Sequence, residues 1–101
     1  MDRKRLNRIG EFVDAHLMER LTISRLAEVA AMSPFQFIRT FKTATGLAPH
    51  AFVTAKKMEK AKTLMLTEGT GLAAAAKRVG YSNVHHFKRL FISHFGAVPG
   101  F

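Results

Sequence analysis

Two stretches of this chain, fifty residues apart, are built alike. Phe37, Arg39, Phe41, Gly46 and Pro49 recur as Phe87, Arg89, Phe91, Gly96 and Pro99, five matches at identical spacing. Just upstream the offset is 49, pairing Ala27 with Ala76 and Ser33 with Ser82, so the second copy holds one extra residue ahead of its Phe. Periodicity fixes the faces of an amphipathic helix but not its ends. A capping Ser, a closing Gly and a restarting Pro repeated in step therefore mark one folding unit used twice.

Each copy reads as a short helix, a tight turn and a longer helix. Leu6, Ile9, Val13 and Leu17 predict a first helix of about four turns that ends before Thr22. Thr22 caps a short helix carrying Ile23, Leu26, Ala27 and Ala30. Ser33-Pro34 is the next start signal, with Ser as cap and Pro at the first helical position, and Gly46 suits the left-handed residue that closes that helix after Thr45. Pro49 opens a long helix to about Leu66, with Phe52, Ala55, Met58, Ala61 and Met65 on one stripe. The run from Thr67 to Gly71 is a turn. A second short helix spans Leu72, Ala75, Ala76 and Val79, and a last long one is capped by Ser82, ends near Phe95 and is closed by Gly96. No segment alternates with period two, so the expected fold is all-α.

The repeat also assigns roles. The helices of a helix-turn-helix cross closely, which requires a small residue in the first, and Ala27 and Ala76 supply it. Phe37 and Phe41, four apart, share a helix face that can fill a core, as do Phe87 and Phe91. Arg39 and Arg89 fall off that face and project outward, where a guanidinium can reach a phosphate or pair with a guanine edge.

Charge agrees with that chemistry. The 101 residues carry 16 Lys and Arg against 7 acids, a net charge of +9, and downstream of residue 32 the only acids are Glu59 and Glu68. A polyanion is the natural partner of such a surface, either nucleic acid or an anionic membrane. The absence of Cys excludes disulfides, thiol nucleophiles and thiolate metal sites, and fits a reducing compartment. No stretch approaches the roughly 20 apolar residues of a membrane span, and the charged start leads into an amphipathic helix rather than a signal sequence.

With these residues in place the sequence resembles the DNA-binding domain of the AraC/XylS family of bacterial transcription regulators over nearly its whole length. Leu26-Ala27, Ser33-Pro34, Phe37, Arg39, Phe41-Lys42, Thr45-Gly46 and Pro49 carry the likeness in the first half. Glu59-Lys60-Ala61, Leu64, Leu66, Ala76, Val79-Gly80-Tyr81-Ser82, His86-Phe87, Arg89, Phe91, Phe95-Gly96 and Pro99 carry it in the second, which holds the family's signature.

The resemblance implies about seven helices, the last of them cut short: a helix-turn-helix subdomain over 1–47, a linker helix over 48–67 and a second subdomain over 68–101. A helix from Pro49 to Leu66 would be about 27 Å long at about 1.5 Å per residue, against roughly 34 Å between successive major-groove faces, so two different half-sites on one DNA face are expected. By the same resemblance Phe35, Gln36, Ile38 and Arg39 read bases in the first half, and Val84, His85, Lys88 and Arg89 in the second. Gln36 suits adenine, Arg39 and Arg89 suit guanine, and Phe35, Ile38 and Val84 suit thymine methyls. Lys42, Lys56, Lys57, Lys77, Arg78 and Lys88 are candidates for phosphate contacts, together with the backbone N–H groups at the starts marked by Ser33 and Ser82.

The implied protein is a cytoplasmic transcription regulator, an activator or a repressor, that binds double-stranded DNA and works with RNA polymerase. It needs no cofactor, metal or catalytic residue. The stretch is expected to be monomeric by itself, as a piece of a longer regulator with an effector or dimerisation domain elsewhere. Lys57 and Ala75 depart from the family pattern, which usually has Arg and a bulky aliphatic there. Ala75, within Ala73 to Ala76, thins the second core, so the second subdomain is expected to be the less stable.

Two other functions compete with this one. His16, His50, His85, His86 and His94 could suggest an enzyme, but His85 and His86 point to different helix faces, and no metalloprotease, phosphate-loop or paired-carboxylate motif accompanies them. A protein- or membrane-binding module would use the basic helices but gives the capped duplication no purpose.

Overall fold

The computed structural model describes residues 1–99, which form six helices and no strand. They are α1 (Arg3–Ala15), α2 (Ile23–Val29), α3 (Pro34–Thr45), α4 (Pro49–Glu68), α5 (Leu72–Arg78) and α6 (Val84–Phe95). A seventh helix, expected to begin at Pro99, would fall on Gly100 and Phe101, outside the described residues.

The capping residues set most of these boundaries. Asp2 accepts from the Arg5 N–H at 2.8 Å, Thr22 from the Arg25 N–H and Ser33 from the Gln36 N–H, each over three residues. Pro34 occupies the first turn of α3, and Gly46, with φ +79°, closes that helix in the left-handed conformation, as Gly96 closes α6 with φ +84°. One expected cap is corrected. Asn83, not Ser82, caps α6, its Oδ1 accepting from the His86 N–H at 3.0 Å. Asn83 lies fifty residues after Ser33, so the register of the repeat holds at the cap. Ser82 is the inserted residue, accommodated in the turn.

The chain separates into two compact units, Met1–His16 with Arg20–Thr54, and Leu17–Glu19 with Ala55 onward. Residues 49–54 of α4 belong to the first and residues 55–68 to the second. In the first unit α1 packs on α2 and α2 on α3. Ile9, Val13, Leu26, Ala27, Ala30, Phe37 and Phe41 are buried there. The Phe41 ring lies 5.4 Å from Phe37 and meets Phe52 edge-on at 5.1 Å. The second unit repeats the arrangement with α5 on α6. Its core joins Met58, Ala61 and Met65 of α4 to Ala75, Ala76 and Val79 around Phe87 and Phe91.

Both short helices end in the same hydrogen-bonded turn. Met32 N–H donates to Ala27 O at 3.0 Å, and Tyr81 N–H to Ala76 O at 2.9 Å, the six-residue closure that requires a left-handed residue just before it. In the second unit that residue is Gly80, φ +88°, but in the first it is Ala31, φ +56°. The left-handed backbone costs an L-residue roughly 1–2 kcal/mol, partly balanced by glycine's larger entropy loss on folding, about 0.4–1 kcal/mol. Ala31→Gly is therefore expected to stabilise the domain by up to about 1 kcal/mol in urea unfolding. Gly80→Ala should lose more than the backbone term alone, because a Cβ there would stand 2.8 Å from Met18 O and 3.1 Å from the Lys57 Nζ.

Candidate nucleic-acid interface

Burial of the Phe pairs decides what α3 and α6 show to solvent. With Phe37 and Phe41 inward, Phe35, Ile38, Arg39 and Lys42 form an exposed stripe at i, i+3, i+4 and i+7, flanked by exposed Gln36. Fifty residues on, His85, Lys88, Arg89 and Ile92 form the matching exposed stripe, flanked by His86. No carboxylate occurs in either helix, so both stripes are neutral or cationic throughout.

The first stripe has an unusual apolar content. Phe35 is 73% exposed and Ile38 41%. The Arg39 guanidinium lies 5.3 Å from the centre of the Phe35 ring, which holds the cation against the aromatic face. Phe35, Ile38, Arg39, Lys42 and Thr43 together line a shallow, mostly apolar hollow. Exposed apolar side chains arranged beside a cation in this way favour a partner that has both apolar and anionic surface. In the second unit Val84 is half-buried and lines a hollow with Lys77, Gly80, Tyr81 and Ser82 at the helix-turn-helix corner.

Of the expected phosphate residues, Ser33, Lys42, Lys77, Arg78, Ser82 and Lys88 are exposed and Lys56 is half-buried. At the start of α3, Pro34 has no N–H and the Gln36 N–H is taken by Ser33, which leaves the Phe35 N–H as the outward donor of that turn. At the start of α6, Asn83 rather than Ser82 holds the His86 N–H.

Lys57 must be withdrawn from the set. It is only 8% exposed. Its ammonium donates to Glu19 O at 3.1 Å and lies 5.6 Å from the Tyr81 ring centre, within the second unit. A charge on an exposed-looking Lys-rich helix segment is instead turned inward to fix the carbonyl end of the Leu17–Glu19 segment beside the turn at Gly80. Two residues of the exposed faces, His86 and Ile92, lie outside the set of DNA contacts expected from the sequence. The signal for both was available, because an offset of fifty places them opposite Gln36 and Lys42.

Among the described residues no helix is long and apolar enough to cross a membrane, and no three metal-ligating side chains gather.

Comparison with known proteins matches this geometry to one class. The sequence profile described as "Helix-turn-helix domain" matches residues 26–101. An uncharacterized HTH-type transcriptional regulator of Bacillus subtilis, YobQ, is 31% identical over 88 residues, covering 87% of this chain and 36% of its own length. The C-terminal domain of the two-component response regulator yesN from Fusobacterium nucleatum superposes with a TM-score of 0.85 at 26% identity, over 95% of this chain and 94% of that one. The DNA-binding domain of AdpA, a global transcriptional factor solved in complex with a target DNA, gives 0.85 at 26% identity, over 94% and 86%. The chain belongs to the AraC-type helix-turn-helix family of DNA-binding domains. It spans about a third of the length of the curated relatives it matches.

Burial pushes the Lys57 ammonium below the ordinary lysine range. A lysine so shifted binds fewer protons folded than unfolded, so its contribution to stability improves as pH rises from the folded value toward the unfolded one. The stability of the wild type relative to Lys57→Met is expected to increase through the alkaline range. Paired urea titrations check this, and parallel pH curves would show that Lys57 is charged alike in both states.

Proposed function

We propose that this chain reads a specific DNA site for the control of transcription, with α3 and α6 each lying in a major groove segment. The observation that carries the reading is the first stripe. Phe35 and Ile38 are kept in solvent beside Arg39 on a helix with no acid, a surface that is costly unless it meets something both apolar and anionic. The major groove of DNA is such a surface, with thymine methyls and guanine acceptors on its floor and phosphates along its walls. A helix of about 10–12 Å diameter fits a groove about 12 Å wide.

Within this reading Gln36 pairs with adenine, Arg39 and Arg89 with guanine, and Phe35 and Ile38 pack on thymine methyls, while His85 and Lys88 take polar base edges and Val84 packs at the corner of the second unit. Lys42, Lys56, Lys77, Arg78 and the helix starts at Ser33 and Asn83, next to Ser82, set the register through phosphates. The two units meet two different half-sites. The domain acts in the cytoplasm as a binding module rather than an enzyme, and contacts to RNA polymerase or to an effector domain belong to the full-length regulator.

Selection of bound sequences from a random duplex pool, followed by titration against salt, tests the proposal. An asymmetric site is expected, with a log–log salt slope near −5 for about six neutralised phosphates. Arg39→Ala and Arg89→Ala should each cost about 1–3 kcal/mol at that site and relax different positions. Equal losses on every sequence would leave both arginines as phosphate contacts, and equal binding to anionic vesicles would remove the DNA reading altogether.

A further inference from the structure

Arg39 borders a second hollow on the other flank of α3. This one is completed by the start of α1 and is lined by Arg3 and Leu6 together with Arg39, Thr40 and Thr43. Arg39 and Thr43 also line the hollow that contains Phe35 and Ile38, so α1 begins immediately beside the reading stripe. The neighbourhood is built for a negative ligand. No carboxylate lines the hollow. The nearest acid in sequence, Asp2, directs its carboxylate to the Arg5 N–H. The hydroxyls of Thr40 and Thr43 donate inside α3, to Gln36 O at 2.7 Å and Arg39 O at 3.0 Å, which leaves the two guanidinium groups as the side-chain donors.

The placement of Arg3 is otherwise unfavourable. The first turn of α1 carries no acid but has Arg3, Lys4 and Arg5 in succession, set against the positive end of the helix dipole. Two cationic side chains on the lining of one hollow suit an anion.

We propose that this hollow is a phosphate site, in which Arg3, beside Arg39, grips a backbone phosphate of the strand that walls the groove occupied by α3. The inference rests on the reading of α3 as a groove-binding helix. A helix with its side chains nearly fills the width of the major groove. Whatever stands directly beside that helix on the protein therefore faces the sugar-phosphate wall. Arg3 occupies that place, and its planar fork of donors matches a phosphate. The contact lies in the part of the chain where acids nearly balance bases, so net charge gives no hint of it.

The test is the binding of Arg3→Gln, Arg3→Lys and Lys4→Gln to the selected duplex and to a random one across a salt series. Thermal unfolding of each variant serves as the folding control. Arg3→Gln is expected to bind both duplexes roughly five- to tenfold more weakly at about 0.1 M salt, with a slope shallower by about 0.9 and the same base preference. Arg3→Lys should restore most of the slope. Lys4→Gln removes an exposed charge from the next position, which does not line the hollow, and should change binding less. Neutral methylphosphonate linkages placed singly along the duplex should include one that weakens the wild type but not Arg3→Gln.

A wild-type slope in Arg3→Gln, equal losses in Lys4→Gln, or no linkage that discriminates the two proteins would overturn the phosphate site. Any of these results obtained while the wild type still selects a sequence leaves the reading by α3 intact. Failure of the wild type to select any sequence would instead refute that reading.

Discussion

The close crossing of a short helix over a longer one, closed by a single left-handed residue, is the constraint from which the rest follows. Ala27 and Ala76 are buried without a side chain beyond Cβ, so α2 can approach α3, and α5 can approach α6. The closing bond, Met32 N–H to Ala27 O or Tyr81 N–H to Ala76 O, ends both short helices in the same way, and the second unit accommodates one extra residue, Ser82, before α6 starts. Once Phe37 and Phe41, or Phe87 and Phe91, are seated in the core, the angular position of every other residue on those helices is set. The exposed stripes are thus a geometric consequence of the packing, and what varies between the units is only which side chains stand on them.

The two units meet that constraint with different materials. The first uses Leu26 where the second, at an offset of 49, has Ala75, and the core around Ala75 is filled in part by Met58 and Met65 from α4. Methionine suits that task because its unbranched chain adapts to an irregular gap. The first unit caps its short helix with the Thr22 hydroxyl, whereas Gly71 offers α5 no side-chain bond. In return the second has a glycine at the left-handed position where the first holds Ala31. It also has Lys57, a charge taken out of water to hold Glu19 O beside that turn. The evident local costs therefore fall at different places, at Ala31 in the first unit and at Gly71 and Lys57 in the second.

Helix ends and core faces were legible in the sequence because they follow from local rules. Thr22, Ser33-Pro34, Gly46 and Gly96 announce boundaries through hydrogen bonds and dihedral angles that involve only a few neighbouring residues. The second cap was misplaced by one residue because Ser82 and Asn83 are both competent caps, and only the geometry of the turn chooses between them. Lys57 was misread for a different reason. Its burial depends on Glu19 and Tyr81, 38 and 24 residues away in sequence, although helical spacing sets it within the arc of the buried Val53, Ala61 and Leu64 and sets the exposed Lys60 just outside that arc. Arg3 was likewise out of reach, since its meaning comes from α3 lying alongside. Only contacts within one element or one turn can be read from spacing.

If the stripes read DNA as proposed, their composition limits what they can ask for. Cytosine presents a donor in the major groove and is read directly by Asp or Glu, yet neither helix contains an acid. Cytosine must therefore be recognised through the guanine opposite, by Arg39, Lys88 or Arg89. Adenine has one dedicated partner, Gln36, on the first helix. The first stripe, with Phe35 and Ile38 exposed, favours positions rich in thymine methyls around one guanine. The second replaces those apolar groups by His85 and Lys88, and so favours acceptor-rich purine edges. Duplication supplied one scaffold, but exchange of residues at matched positions has made the two halves ask for different sequences, and the domain can therefore impose a direction on a site that a symmetric pair of readers could not.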